Sequence, residues 1–122
     1  MTMHARVVSA TVIPGHEEDV LSVLNGVVVP AAEEQPGFRG ALTLLDRGTG
    51  KGMMITLWAS AEDLVLGEAS GYLSRQIAAV VPLLRTPAVR ETYQVEVVGG
   101  SGSPFSADSN DDEARSERGQ SR

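Results

Sequence analysis

The sequence predicts an α+β domain of order β-α-β-β-α-β, an antiparallel sheet with both helical regions on one face. Three observations predict it. Alternating or β-branched stretches stand at His4–Ile13, Phe38–Asp46, Met53–Ala59 and Val89–Val98. Apolar residues at helical spacing fill the intervals after the first and third of them. A glycine-rich hairpin joins the middle pair. This order is the ferredoxin-like split βαβ arrangement.

Each element has a local cause. Val7, Val8, Thr11, Val12 and Ile13 favour a first strand, ended by Pro14-Gly15. Glu17, Glu18 and Asp19 suit a helix N-terminus, and Val20, Leu24, Val27 and Ala31 form one apolar stripe. Gly26 weakens that helix, and Pro30 should kink or interrupt it. The second strand is expected to place Phe38, Gly40, Leu42 and Leu44 on one side. The loop Asp46–Gly52, DRGTGKG, resembles a phosphate loop only superficially. A strand follows where the phosphate loop requires Ser or Thr and a helix, so the loop reads as a hairpin turn.

Met53–Leu64 is the centre of the pattern. Met53, Ile55, Leu57 and Ala59 form one row, and Met54, Thr56 and Trp58 the other. Both rows are largely apolar, as in a strand covered on both faces. Ser60 stands at a helix N-cap with Asp63 three residues on. The second helical region is expected to run to about Leu66, to break or bend at Gly67 and Gly71, and to resume over Tyr72–Val81 until Pro82. The helices cover one sheet face only. The apolar character of the other predicts a homodimer with two sheets packed together, the alternative being a moderately polar outer face.

Composition narrows the function classes. The 122 residues carry a formal charge of -6, which argues against nucleic acid as a partner. There is no cysteine, and His4 and His16 are the only histidines, so no metal site is expected. No apolar run reaches bilayer-spanning length and no signal peptide is visible, giving the expectation of a soluble cytoplasmic protein without a membrane partner. Residues 1–98 form the expected domain. Residues 99–122 are almost entirely polar or small and are expected to be a disordered tail in which Phe105 alone could dock.

The Pro14-Gly15 turn, the Pro30…Gln35-Pro36-Gly37-Phe38 passage, LWAS at Leu57–Ser60 leading to Asp63-Leu64, Pro82-Leu83-Leu84 and the ETYQVEVV strand together resemble the antibiotic biosynthesis monooxygenase (ABM) domain, from Met3 to about Val98. The resemblance implies a dimeric α+β barrel with a pocket between helices and sheet in each subunit. It further implies a small aromatic ligand and, in some members, oxidation by molecular oxygen without metal, flavin or haem.

Trp58 is placed like the family's pocket tryptophan, although a lone tryptophan equally serves a core. Tyr72 could reach the helix–sheet cleft or remain partly exposed. Arg75 could stabilise a phenolate or lie on a solvated face. With Trp58 they are the candidate catalytic residues, and Trp58, Met54, Tyr72 and Gln76 the candidate substrate contacts. Arg85 at the helix end, His4 and His16 are weaker candidates. No cofactor is expected. Haem-degrading relatives carry an axial histidine on the second helix and an asparagine in the first strand. Here Ala61–Leu84 contains no histidine, and the asparagine position falls near Val8. A ligand-binding or structural barrel without turnover is the alternative to a monooxygenase.

Overall fold

In the computed structural model, which describes residues 2–100, strands β1 (His4–Thr11), β2 (Phe38–Leu45), β3 (Lys51–Trp58) and β4 (Val89–Gln94) form one antiparallel sheet in the order β2-β3-β1-β4. This is the ferredoxin-like order. The registers Arg6↔Thr56, Val8↔Met54 and Ala41↔Thr56 align the inward rows of β1, β2 and β3 beneath the helices. The Met53, Ile55 and Leu57 row turns away from them.

Three strand expectations need correction. Phe38 does not share a side with Gly40, Leu42 and Leu44. Phe38 pairs with Trp58 while Gly40 pairs with Leu57, and this one-residue shift is a β-bulge that turns Phe38 inward. The last strand ends at Gln94, after which only the Val95 amide, donating to the Met3 carbonyl, continues the pairing. β1 stops at Thr11: the Val12 amide still donates in register to the Gly50 carbonyl, but the Gly50 amide turns to the Asp46 carbonyl in the hairpin, and Val12 forms an isolated bridge with Leu84. The expected tail from Gly99 lies outside the described residues beyond Gly100. Asp46 organises the β2–β3 hairpin. Its carboxylate accepts from the Gly48 and Thr49 amides, and its carbonyl accepts from the Gly50 amide.

The first helical region is α1 (Glu17–Val23), a π-helical turn (Leu24–Val28) and α2 (Val29–Glu33). Pro30 therefore widens the helix instead of ending it. Its missing N–H and its ring, which would press on the carbonyl of Gly26 four residues back, are accommodated where the turn is widest. The second region is α3 (Ala61–Ala69) and α4 (Tyr72–Val80), followed by a short 3-10 turn (Val81–Leu83). Gly67 does not break α3. It is buried against the Tyr72 ring, and the break comes at Gly71, whose φ of 82° favours glycine. Among the described residues no helix is long and apolar enough to cross a membrane.

Ser60 caps α3 as expected. Its Oγ accepts from the Asp63 amide at 3.1 Å and donates to the Asp63 carboxylate at 3.0 Å. Gly37 packs against this cap. Its carbonyl accepts from the Ala59 amide at 2.7 Å, and a Cβ added there would stand 2.2 Å from an Asp63 carboxylate oxygen, at a φ of 81°. Gly37→Ala should therefore cost more than about 1 kcal/mol, from backbone strain and a displaced cap. Gly26→Ala, with nothing within 4 Å of the new Cβ, should be neutral or stabilise by up to about 1 kcal/mol. Urea unfolding of both variants checks the contrast. Equal stabilities would contradict it.

Candidate functional site

Alternation along β3 sends Met54, Thr56 and Trp58 toward the helices. Trp58 is fully buried. Its Nε1–H donates to Thr56 Oγ1 at 3.0 Å, so the indole's one polar group is satisfied within its own strand. Phe38 and Tyr72 meet the indole edge-on, with ring centroids at 5.7 Å and 6.4 Å. The Arg6 guanidinium lies 5.4 Å from the indole centroid, within cation–π range.

Arg6 is 1% exposed. Nη2 donates to the Leu64 carbonyl at 2.8 Å, and Nε donates to the Glu68 carboxylate at 3.3 Å. Burial pushes the guanidinium below its ordinary pKa, and the Glu68 carboxylate opposes that shift. Arginine's intrinsic basicity still keeps the group charged. Burial pushes the Tyr72 phenol above its ordinary value, partly offset by the positive charge of Arg6. At neutral pH Tyr72 is thus a neutral hydrogen-bond donor.

Between the helices and the sheet lies a cavity of about 90 Å³, room for several water-sized groups. Val8, Ala10 and Met54 line it from the sheet, and Leu21, Leu24 and Val28 from the first helical region. Tyr72, Gln76 and Ile77 on α4 close it. Most of this wall is apolar. Gln76 Oε1 is buried and has no hydrogen-bond partner among the described residues. A buried acceptor left in that state costs about 1–3 kcal/mol, which a ligand hydroxyl would recover.

The sequence-predicted candidates divide. Met54, Tyr72 and Gln76 meet at the cavity. Trp58 does not border it: the indole lies in the core cluster with Ala32, Leu64, Tyr72 and Leu73, held there by Phe38 and Tyr72 on its edges. Its placement as a wall is therefore corrected to a support behind the wall. Arg75 is exposed and donates to the Ser70 carbonyl, because one residue along α4 turns it about 100° away from the Gln76 direction. Arg85 is also exposed. Neither histidine borders the cavity: His16 pairs with Asp19 at 3.0 Å, and His4 lies against the Thr2 carbonyl. Two residues that line it, Arg6 and Thr56, were not anticipated as site residues. The available signal was a charge standing in the inward row of β1, in line with Val8 and Ala10.

Sheet order and interlayer cavity define a ferredoxin-like α+β domain with a partly open, mostly apolar cleft. The chain belongs to the antibiotic biosynthesis monooxygenase family, whose model matches residues 3–66. Similar solved structures include a monooxygenase from the gene ActVA-Orf6 of Streptomyces coelicolor, in complex with nanaomycin D. That likeness has 17% identity and a TM-score of 0.69, covering 82% of this chain and 93% of that one. SnoaB, a cofactor-independent oxygenase from Streptomyces nogalater, is similar at 18% identity and a TM-score of 0.62, over 80% of this chain and 95% of that one. A protein of unknown function from Nitrosomonas europaea is similar at 20% identity and a TM-score of 0.65, over 83% and 96%. At these identities the structures establish a shared fold. No protein of curated function matches the sequence.

Proposed function

We propose that this chain is a cofactor-independent monooxygenase acting on a small phenolic or quinol-like aromatic molecule. The observation that carries this reading is the unpartnered Gln76 amide oxygen, placed with the Tyr72 phenol on the wall of an otherwise apolar cavity. A ligand hydroxyl would donate to Gln76, and a ligand carbonyl or phenolate oxygen would accept from Tyr72. Family membership and the oxygenase activity of SnoaB favour oxygen as the second reactant.

In the proposed reaction the substrate loses a proton to solvent, and its anion passes one electron to dioxygen. The two radicals combine into a carbon-bound peroxide anion, which takes a proton back from solvent to become the hydroperoxide. Loss of water, which takes the hydrogen remaining on that carbon, leaves a carbonyl. One oxygen atom ends in the product and the other in water. Apolar walls exclude bulk water from the reactive carbon, and the Tyr72 hydrogen bond spreads the anionic charge. Binding without turnover is the second reading. It is favoured by the acid–base inventory, since Glu17 is the one carboxylate bordering the cavity among the described residues and its side chain accepts from the Gly15 amide.

Oxygen uptake with anthrone- and naphthol-type compounds tests the proposal. Wild type should accelerate uptake, and Tyr72→Phe and Gln76→Leu should each reduce the acceleration roughly tenfold or more, the worth of one hydrogen bond at the reacting group. Ligand binding with no accelerated uptake would leave only the binding reading.

The proposal includes a homodimer formed through the sheet face away from the helices. Leu44, Val89 and Tyr93 on that face are 46%, 54% and 52% exposed, and Leu42 beside them is 37% exposed. Face-to-face packing of two copies would cover them, and would cover the partly exposed Met53 and Ile55. Sedimentation at micromolar concentration should give twice the chain mass, and Leu44→Glu should shift it toward one. A wild-type monomer would overturn this part of the reading.

A further inference from the structure

We infer that the buried guanidinium of Arg6 makes the cavity select the ionised form of a phenolic ligand, with Glu68 setting how strongly it does so. The inference rests on the reading of the cavity as a site for small phenols. It does not depend on whether oxygen then reacts.

Arg6 borders the cavity, yet it is 1% exposed. The sheet builds this position: Arg6 stands opposite Thr56 on β3 and opposite Thr92 on β4, and α3 closes over it through the Leu64 carbonyl. Its charge is only partly compensated. Glu68, the one carboxylate within ion-pair distance among the described residues, meets Nε at 3.3 Å while its own side chain is 36% exposed. Water therefore competes for the carboxylate and weakens its hold on the cation. Nη1 takes part in neither the Glu68 nor the Leu64 contact. The indole face on the other side adds a quadrupole but no formal charge.

The groups facing this cation come from every element around it. Glu68 is on α3, Tyr72 on α4, Arg90 on β4 and the Trp58 ring on β3. Glu17 borders the same cavity from α1. Burial is the larger effect on the Tyr72 phenol and keeps its pKa raised, and the field of Arg6 acts on the same group in the opposite direction, favouring its ionised form. A ligand phenol in the same cavity experiences the same cation without being held at the edge of the indole. An opposite charge within about 4–6 Å lowers an acid's pKa by roughly 1–3 units.

Titration of para-nitrophenol, whose visible absorbance reports the phenolate directly, tests the inference. On the wild-type protein the bound phenol's pKa should fall by about one unit or more relative to the free compound. Arg6→Met keeps the length and apolar stem and removes the charge, so the bound pKa should return to the free value or rise above it. Glu68→Gln changes a half-exposed side chain and frees the cation, so the bound pKa should fall further than in wild type. Opposite shifts from the two variants would not arise from a purely structural role. If Arg6→Met does not fold, the direction of the Glu68→Gln shift decides the matter. An unchanged bound pKa in wild type, or a rise with Glu68→Gln, would overturn the inference and leave the phenol-binding reading intact. Absence of any para-nitrophenol binding to wild type would overturn both.

Discussion

The structure depends on the burial of one indole. Trp58 ends β3 in a position where the inward row, the second helical region and the β2 bulge converge. Phe38 reaches it only because the bulge turns that ring inward, and Tyr72 reaches it only because the Ser70–Gly71 break restarts the helix there. Full burial of a tryptophan requires a partner for its N–H, and Thr56 supplies it from two residues away. The hydrogen bond explains why a threonine is tolerated in the inward row of a central strand.

From that cluster the site follows. The same Tyr72 that packs on the indole also lines the cavity, and the same Arg6 that lies over the indole borders it. Site and core share side chains, so the geometry of the polar groups is held by packing that exists without ligand. The far wall is built differently. Leu24 and Val28 lie at the two ends of a π-helical turn that Pro30 favours, which gives that side of the cavity a wider, less regular surface than an uninterrupted α-helix would.

Much of the fold was legible in local chemistry. The Ser60 cap, the Asp46 hairpin and the alternation of β3 depend on residues a few positions apart, and all three formed as read. What escaped was decided by pairing between distant segments. The Phe38 bulge exists only in the register with β3; the one local mark of it is Gly40, a glycine inside the strand at the register shift, with a φ of 153°. Gly67 reads as a helix breaker in isolation, but α3 runs through it, buried beside the Tyr72 ring. The same limit applies at the site. Tyr72, Gln76 and Met54 were placed by helical and strand periodicity. Arg75 failed by a single residue of helical phase, and Trp58 was assigned to the right junction but the wrong side of its packing. Arg6 needed the sheet order: only with β1 at the centre, between β3 and β4, does an arginine in its inward row become a buried charge.

The central claim is that Trp58 supports the cavity from within the core and does not form its wall. The most direct measurement is the unfolding free energy of Trp58→Ala and Trp58→Phe against wild type, with phenol affinity measured in each folded variant. The structure predicts a loss of about 3–5 kcal/mol for Trp58→Ala, with a smaller loss and near wild-type phenol affinity for Trp58→Phe. A loss below about 1 kcal/mol for Trp58→Ala, together with abolished phenol binding, would place the indole in the ligand's path and contradict the account.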